Sequence, residues 1–123
     1  WSALAQGMLT GKYRLGAPVP ANSRASDEAG AGYISRWMRD EVMHAVQSLG
    51  DVAAARGVTT AQLALAWVLG RPTVSSAIIG ASSPGQILEN VKALGVALDP
   101  ATMDAIEVAM AGVAIFERPT VAR

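Results

Sequence analysis

The sequence predicts an alternating α/β chain, and three observations carry that expectation. Thr73 to Ile79 (TVSSAII), bounded by Gly80, reads as one full strand. Apolar residues recur at helical spacing on both sides of it. The opening segment, Trp1 to Tyr13 (WSALAQGMLTGKY), reads as a chain leaving a strand, with Gly7 and Gly11 as punctuation. The resulting order is strand end, long loop, helix, helix, strand, helix, helix. One strand and one strand end do not make a sheet, so further strands are expected from sequence outside these 123 residues or from another chain. A start on Trp1, inside an element already under way, reads as a piece of something larger.

Taken in order, residues 14–35 carry Gly16, Pro18, Pro20, Asn22, Ser23, Gly30 and Gly32 without a sustained period, which reads as a lid or binding loop. From about Ser35 to Arg56, Met38, Val42, Ala45, Val46, Leu49, Val52 and Ala53 mark one helical face, and Gly57 supplies the stop. Thr59 with Gln62 forms a capping box that opens a helix through Leu69, apolar nearly all round and so expected to be buried. Ser83, Pro84 and Gln86 give a second box, whose helix turns Ile87, Leu88, Val91 and Leu94 inward. Asp99 and Pro100 start a last helix with Met103, Ile106 and Met110 on one face.

Composition excludes several classes of function. The chain is 51% hydrophobic and only 16% charged, an under-charged surface for a small free domain. Ten basic and ten acidic residues cancel, so there is no global field to draw nucleic acid or an anionic membrane. Without cysteine, disulfides, thiolate metal sites and cysteine nucleophiles drop out. His44 alone excludes a multi-histidine metal site and reads as a surface residue. The longest uncharged stretches, 57–70 and 72–88, fall short of the roughly 18 to 20 apolar residues of a membrane span. A soluble, cytoplasmic protein without a signal peptide is expected.

Chemistry gathers at one place. Gly80-Ala81-Ser82-Ser83 joins the strand to a helix N-terminus, whose free N–H groups and dipole suit a phosphate. Gln86, Glu89 and Asn90 share one face of the following helix, with donors and acceptors suited to an adenine edge or a ribose. An ordinary capped turn and a solvated face fit the same residues. GMLTGK at Gly7 to Lys12 has the wrong glycine spacing for a P-loop and is followed by Tyr13; Gly30-Ala31-Gly32 lacks the third glycine of a dinucleotide fingerprint. No nucleophile with its base, and no converging carboxylate pair, is visible.

WSALAQGMLTGKY, NSR at Asn22 to Arg24, TTAQLALAWVL at Thr59 to Leu69 and SSAIIGASSPGQILENVKAL at Ser75 to Leu94 together resemble the C-terminal half of the aldo-keto reductases. The branch most similar includes bacterial general-stress reductases and potassium-channel beta subunits. The resemblance implies the last strands and helices of a (β/α)8 TIM barrel with NADPH across the C-terminal ends of its strands. It places 1–13 at the end of strand 7 and the pyrophosphate loop, 14–35 in a cofactor flap, 36–69 in helices, and 73–79 in strand 8. The adenosine-binding turn and helix follow at 80–94, and the C-terminal helix at 99–111.

By that resemblance Trp1 stacks on the nicotinamide, and Ser2, Leu4, Ala5, Gln6, Gly7 and Lys12 run over the pyrophosphate. Arg24 lies near the adenosine phosphate, and Gly80, Ser82, Gln86, Glu89 and Asn90 hold the adenosine. Departures are Ala3, where the family usually has proline, Gly85, where it often has Glu, and Asn22, which is aromatic in some members. The family's catalytic Asp, Tyr, Lys and His belong to its N-terminal half, and neither Tyr13, Tyr33 nor His44 matches their context. The implied function is NADPH-dependent reduction of aldehydes and ketones to alcohols, with this chain supplying the cofactor-binding half and inactive alone. A small carbonyl compound is the expected substrate, and the missing N-terminal half or a second copy the expected partner. Two alternatives fit the same residues: a non-catalytic NADPH-binding accessory subunit, or an inactive truncated product.

Overall fold

A computed structural model describes residues 2–114. The N-terminal loop enters a 3-10 segment at Ala5–Thr10. Five α-helices follow: α1 (Glu28–Ile34), α2 (Asp40–Ala55), α3 (Thr60–Leu69), α4 (Pro84–Val91) and α5 (Pro100–Ala109). A 3-10 turn, Lys92–Gly95, extends α4.

Among the described residues there is no strand, which overturns the expected α/β barrel portion. Residues 73–79, where the strand was expected, leave a turn for irregular chain, and Ile78 is 80% exposed. Alternation and β-branching only suit a residue to a pleated surface. A strand exists when its N–H and C=O groups pair with a neighbour, and no neighbouring strand is described here. A second difference lies at Glu28–Ile34 (EAGAGYI), which is helical inside the stretch read as irregular. Its small residues carry no apolar stripe, so periodicity could not find it.

The helix ends follow the expected chemistry more closely. Gly57, at φ +68°, closes α2: its N–H donates to the Ala54 carbonyl and the Val58 N–H to that of Ala53, a Schellman stop. The chain turns through 89° into α3. There Thr59 Oγ1 accepts the Gln62 N–H at 3.2 Å while Gln62 Oε1 accepts the Thr59 N–H at 3.0 Å, completing the box. At α4 the reciprocal half of the expected box is missing. Ser83 Oγ accepts the Gln86 N–H, but Gln86 Oε1 turns to the N–H of Ser82 at 2.8 Å and its hydroxyl at 3.2 Å.

Two apolar clusters hold the helices. Met8, Tyr13, Ile34, Val42 and Val46 join the N-terminal segment to α1 and α2. Leu49, Ala53, Leu63 and Ile106 join α2, α3 and α5, and Leu9 packs against both clusters. The inward stripes expected for α2 and α5 are found, and α3 is buried from Gln62 to Ala66. On α4 the expectation fails: Leu88 and Leu94 are 69% and 74% exposed, and Ile87 and Val91 are at least half exposed. Amphipathic spacing identifies an apolar face without saying what covers it. Here α4 rests on α3 through its opposite side and leaves an open apolar stripe.

Candidate functional site

The residues implied in cofactor binding fall in three places. Trp1 lies outside the described residues. Ser2, Leu4, Ala5, Gln6 and Gly7 form a half-buried loop with backbone in the left-handed region at Ser2, Ala5, Gln6 and Gly7. Its shape is fixed internally: the Ala5 N–H donates to the Ser2 carbonyl, the Gly7 and Leu9 N–H groups to the Leu4 carbonyl, and Gln6 Nε2 to Ser2 Oγ at 3.0 Å. Three of those four residues carry a side chain in a conformation that disfavours one, so the loop is held by its surroundings rather than by local preference.

Gly7 and Lys12 are brought together. A Cβ on Gly7 would lie 3.3 Å from Lys12 Cε and 3.4 Å from its Nζ, so the glycine leaves room for the end of the Lys12 side chain beside the loop. Lys12 Nζ also sits 5.3 Å from the centre of the Tyr13 ring. Lys12 is exposed, and neither it nor Arg24 has an ion-pair partner among the described residues. Each is a cation without a described carboxylate partner, Lys12 beside a tightly curved backbone, and each has the chemistry to take a phosphate group.

Arg24 belongs to a short turn before α1. The Ser26 hydroxyl accepts the Ser23 N–H at 3.0 Å and donates to the Ser23 carbonyl at 2.9 Å. The next N–H along, that of Ala25, donates to the Tyr13 hydroxyl at 3.4 Å.

Gly80, Ser82, Gln86 and Glu89 are exposed and Asn90 half-buried, on and before α4. Gln86 spends its carbonyl oxygen on Ser82, so that oxygen is already satisfied within the turn. Glu89 is held on both sides: its carboxylate takes Lys92 Nζ at 2.5 Å and Gln62 Nε2 at 3.3 Å. The Glu89 backbone carbonyl accepts the same Gln62 Nε2 at 2.9 Å.

The first turn of α3 links two of these places. A Cβ on Gly11, beside Lys12, would meet Thr60 Oγ1 at 3.1 Å, and Gln62 reaches Glu89. Sequence reasoning took Gln62 only as a cap and missed its second role, together with Thr60, Ser26 and Gly30. The available signal was a buried-side glutamine on an otherwise apolar helix, a residue with more hydrogen-bonding capacity than a cap uses. No group of three or more metal-ligating side chains occurs among the described residues, and His44 is exposed as expected.

Residues 1–110 match the Aldo/keto reductase family, and the chain belongs to it. It is 46% identical over 109 residues to a "Probable voltage-gated potassium channel subunit beta" of Arabidopsis thaliana, covering 87% of this chain and 33% of that protein. A protein of the same description from Oryza sativa subsp. japonica is 45% identical over the same extent. The "L-glyceraldehyde 3-phosphate reductase" of Escherichia coli strain K12 is 36% identical over 94 residues, 76% of this chain and 27% of that protein. The chain thus spans about a third of the length of the relatives it matches.

Proposed function

We propose that this chain is the cofactor-holding portion of an oxidoreductase that reduces aldehydes and ketones with NADPH. Lys12 carries the reading: its ammonium lies beside the curved loop at Gly7, where a side chain would crowd it, and has no acidic partner among the described residues. When bound, NADPH supplies the hydride for the carbonyl carbon. The residues of this chain bind and orient. Lys12 faces the pyrophosphate, Ser2, Leu4, Ala5, Gln6 and Gly7 give it a close backbone wall, and Arg24 takes the adenosine phosphate. Gly80 and Ser82 border the adenosine, and the Gln86 amide, Glu89 and Asn90 read its polar edges. Trp1 stacks on the nicotinamide in the same reading.

Proton transfer lies elsewhere in the protein. Tyr13 is 3% exposed with its hydroxyl turned to the Ala25 N–H, Tyr33 is 68% exposed, and His44 stands on the outer face of α2. The 123-residue chain is therefore expected to bind NADPH without reducing a carbonyl. Titration followed by tryptophan fluorescence tests this: quenching that is lost in Lys12→Ala and Arg24→Ala supports the site. No quenching at millimolar NADPH overturns the site as formed by these residues, and carbonyl turnover by this chain overturns the division of labour.

A second reading, an NADPH-binding accessory subunit, is favoured by the higher identity to the relatives named as channel beta subunits, 46% against 36%. Aldehyde turnover by the full-length protein supports the reductase. Tight cofactor binding without turnover supports the subunit.

A further inference from the structure

Gly30 is a buried residue in the first turn of α1, with ordinary helical backbone, where alanine is the better helix former. Space explains the glycine. A Cβ there would lie 2.7 Å from the Arg24 carbonyl oxygen, 2.8 Å from Arg24 Cγ and 2.9 Å from Asp27 Oδ2. Distances under 3.0 Å require something to shift, and the nearest atom is backbone. Thus only a glycine lets α1 lie this close to both the main chain and the side-chain stem of Arg24.

From the other side the turn is tied by Ser26, whose hydroxyl bridges the N–H and the carbonyl of Ser23, and by Tyr13, whose hydroxyl accepts the Ala25 N–H. The residues flanking Arg24 on each side are fixed, and its Cγ lies against a surface with no side chain. An exposed arginine ordinarily gives up much rotamer freedom when it grips a ligand. A stem already packed at Cγ has less to lose.

We infer that Gly30 and Ser26 are positioning residues that hold Arg24 ready for the 2′-phosphate of the cofactor, and that the close seating of Arg24 on α1 at Gly30 sets the preference for the phosphorylated cofactor. The inference rests on the NADPH-binding reading above. Tyr13 contributes through the Ala25 N–H, while Lys12, on a different segment, serves the pyrophosphate that NADPH and NADH share.

The test compares dissociation constants for NADPH and NADH, by fluorescence titration of the purified protein and its variants. Gly30→Ala is expected to lower the NADPH-over-NADH ratio by about threefold to tenfold, on the order of one charge-assisted contact made less well. Affinity for NADH should stay nearly constant. Ser26→Ala, at an exposed position that carries no core packing, is expected to move the ratio the same way by a smaller factor. In an Arg24→Ala background neither change should lower the ratio further.

Equal loss of both cofactors in Gly30→Ala, with the ratio unchanged, would make the glycine a matter of packing alone and overturn the inference. If circular dichroism shows Gly30→Ala unfolded, an unchanged ratio in Ser26→Ala overturns it instead. A ratio unaffected by Arg24→Ala overturns the assignment of Arg24 itself, and failure of the wild-type protein to bind either cofactor overturns the reading beneath it.

Discussion

Gln62 donates both to the backbone carbonyl of Glu89, at 2.9 Å, and to its carboxylate, at 3.3 Å, while its own carbonyl caps α3 through the Thr59 N–H. A residue only 5% exposed thereby fixes the start of one helix and the end of another. That makes Gln62 the joint through which α4, with the adenosine-facing residues of the proposed site, is set on the helical core.

Gln62→Ala removes the reciprocal half of the capping box and leaves a Glu89 carbonyl partly unsatisfied. It is expected to cost about 1–2 kcal/mol, read by urea denaturation. Gln62→Glu separates the two roles. A carboxylate still accepts the Thr59 N–H but has nothing to donate to Glu89 and repels its charge, so α3 keeps its cap while the α3–α4 joint weakens. NADPH affinity should fall more in Gln62→Glu than in Thr59→Ala, which disturbs the cap alone; the reverse order would show the joint to be irrelevant to the site.

Gly7→Ala places a methyl group in a left-handed backbone, at φ +99°, and against the Lys12 stem. About 1–2 kcal/mol of stability should be lost to the backbone alone. NADPH should bind more weakly, and with the same slope against salt as in the wild type, because no charge is removed. Lys12→Ala should weaken binding and flatten the salt dependence. Titrations between low and moderate ionic strength distinguish the two.

Asp99 provides the acid response. Hydrogen bonds from the Thr102 hydroxyl, at 2.5 Å, and the Thr102 N–H, at 2.7 Å, lower its carboxyl below the ordinary aspartate range, with Arg56 at 2.6 Å adding to the effect. A carboxyl lowered on folding contributes stability above its unfolded value, near 3.9, and loses that contribution as pH falls through the folded value. Thermal midpoints should therefore drop below about pH 4 in the wild type. Asp99→Asn should start lower at neutral pH and converge on the wild type in acid; parallel curves would refute the assignment.

Leu63 and Leu88 are both leucines at apolar positions of amphipathic or apolar helices, yet one is wholly buried and the other 69% exposed. Leu63→Ala is expected to cost about 2–5 kcal/mol, since it opens a cavity between α2, α3 and α5. Leu88→Ala should stay within about 0.5 kcal/mol. Equal losses, measured by denaturant midpoint, would mean that α4 turns its stripe into the core in solution.

Sequence by itself determined the local chemistry of this protein. The Gly57 stop, the Thr59 box, the Asp99 cap and the stripes of α2 and α5 depend on residues within a turn or two of each other, so spacing reveals them. The family was legible for a related reason: several short motifs in fixed order are specific even when each alone is not. Tertiary structure decided what those signals are paired with. Thr73 to Ile79 has strand-like residues and no described strand beside it, and the α4 stripe is apolar and uncovered. The contacts of Lys12 with Gly7, Arg24 with Gly30 and Gln62 with Glu89 join residues that no period relates. Pairing and burial are properties of two surfaces, and one stretch of sequence records only its own.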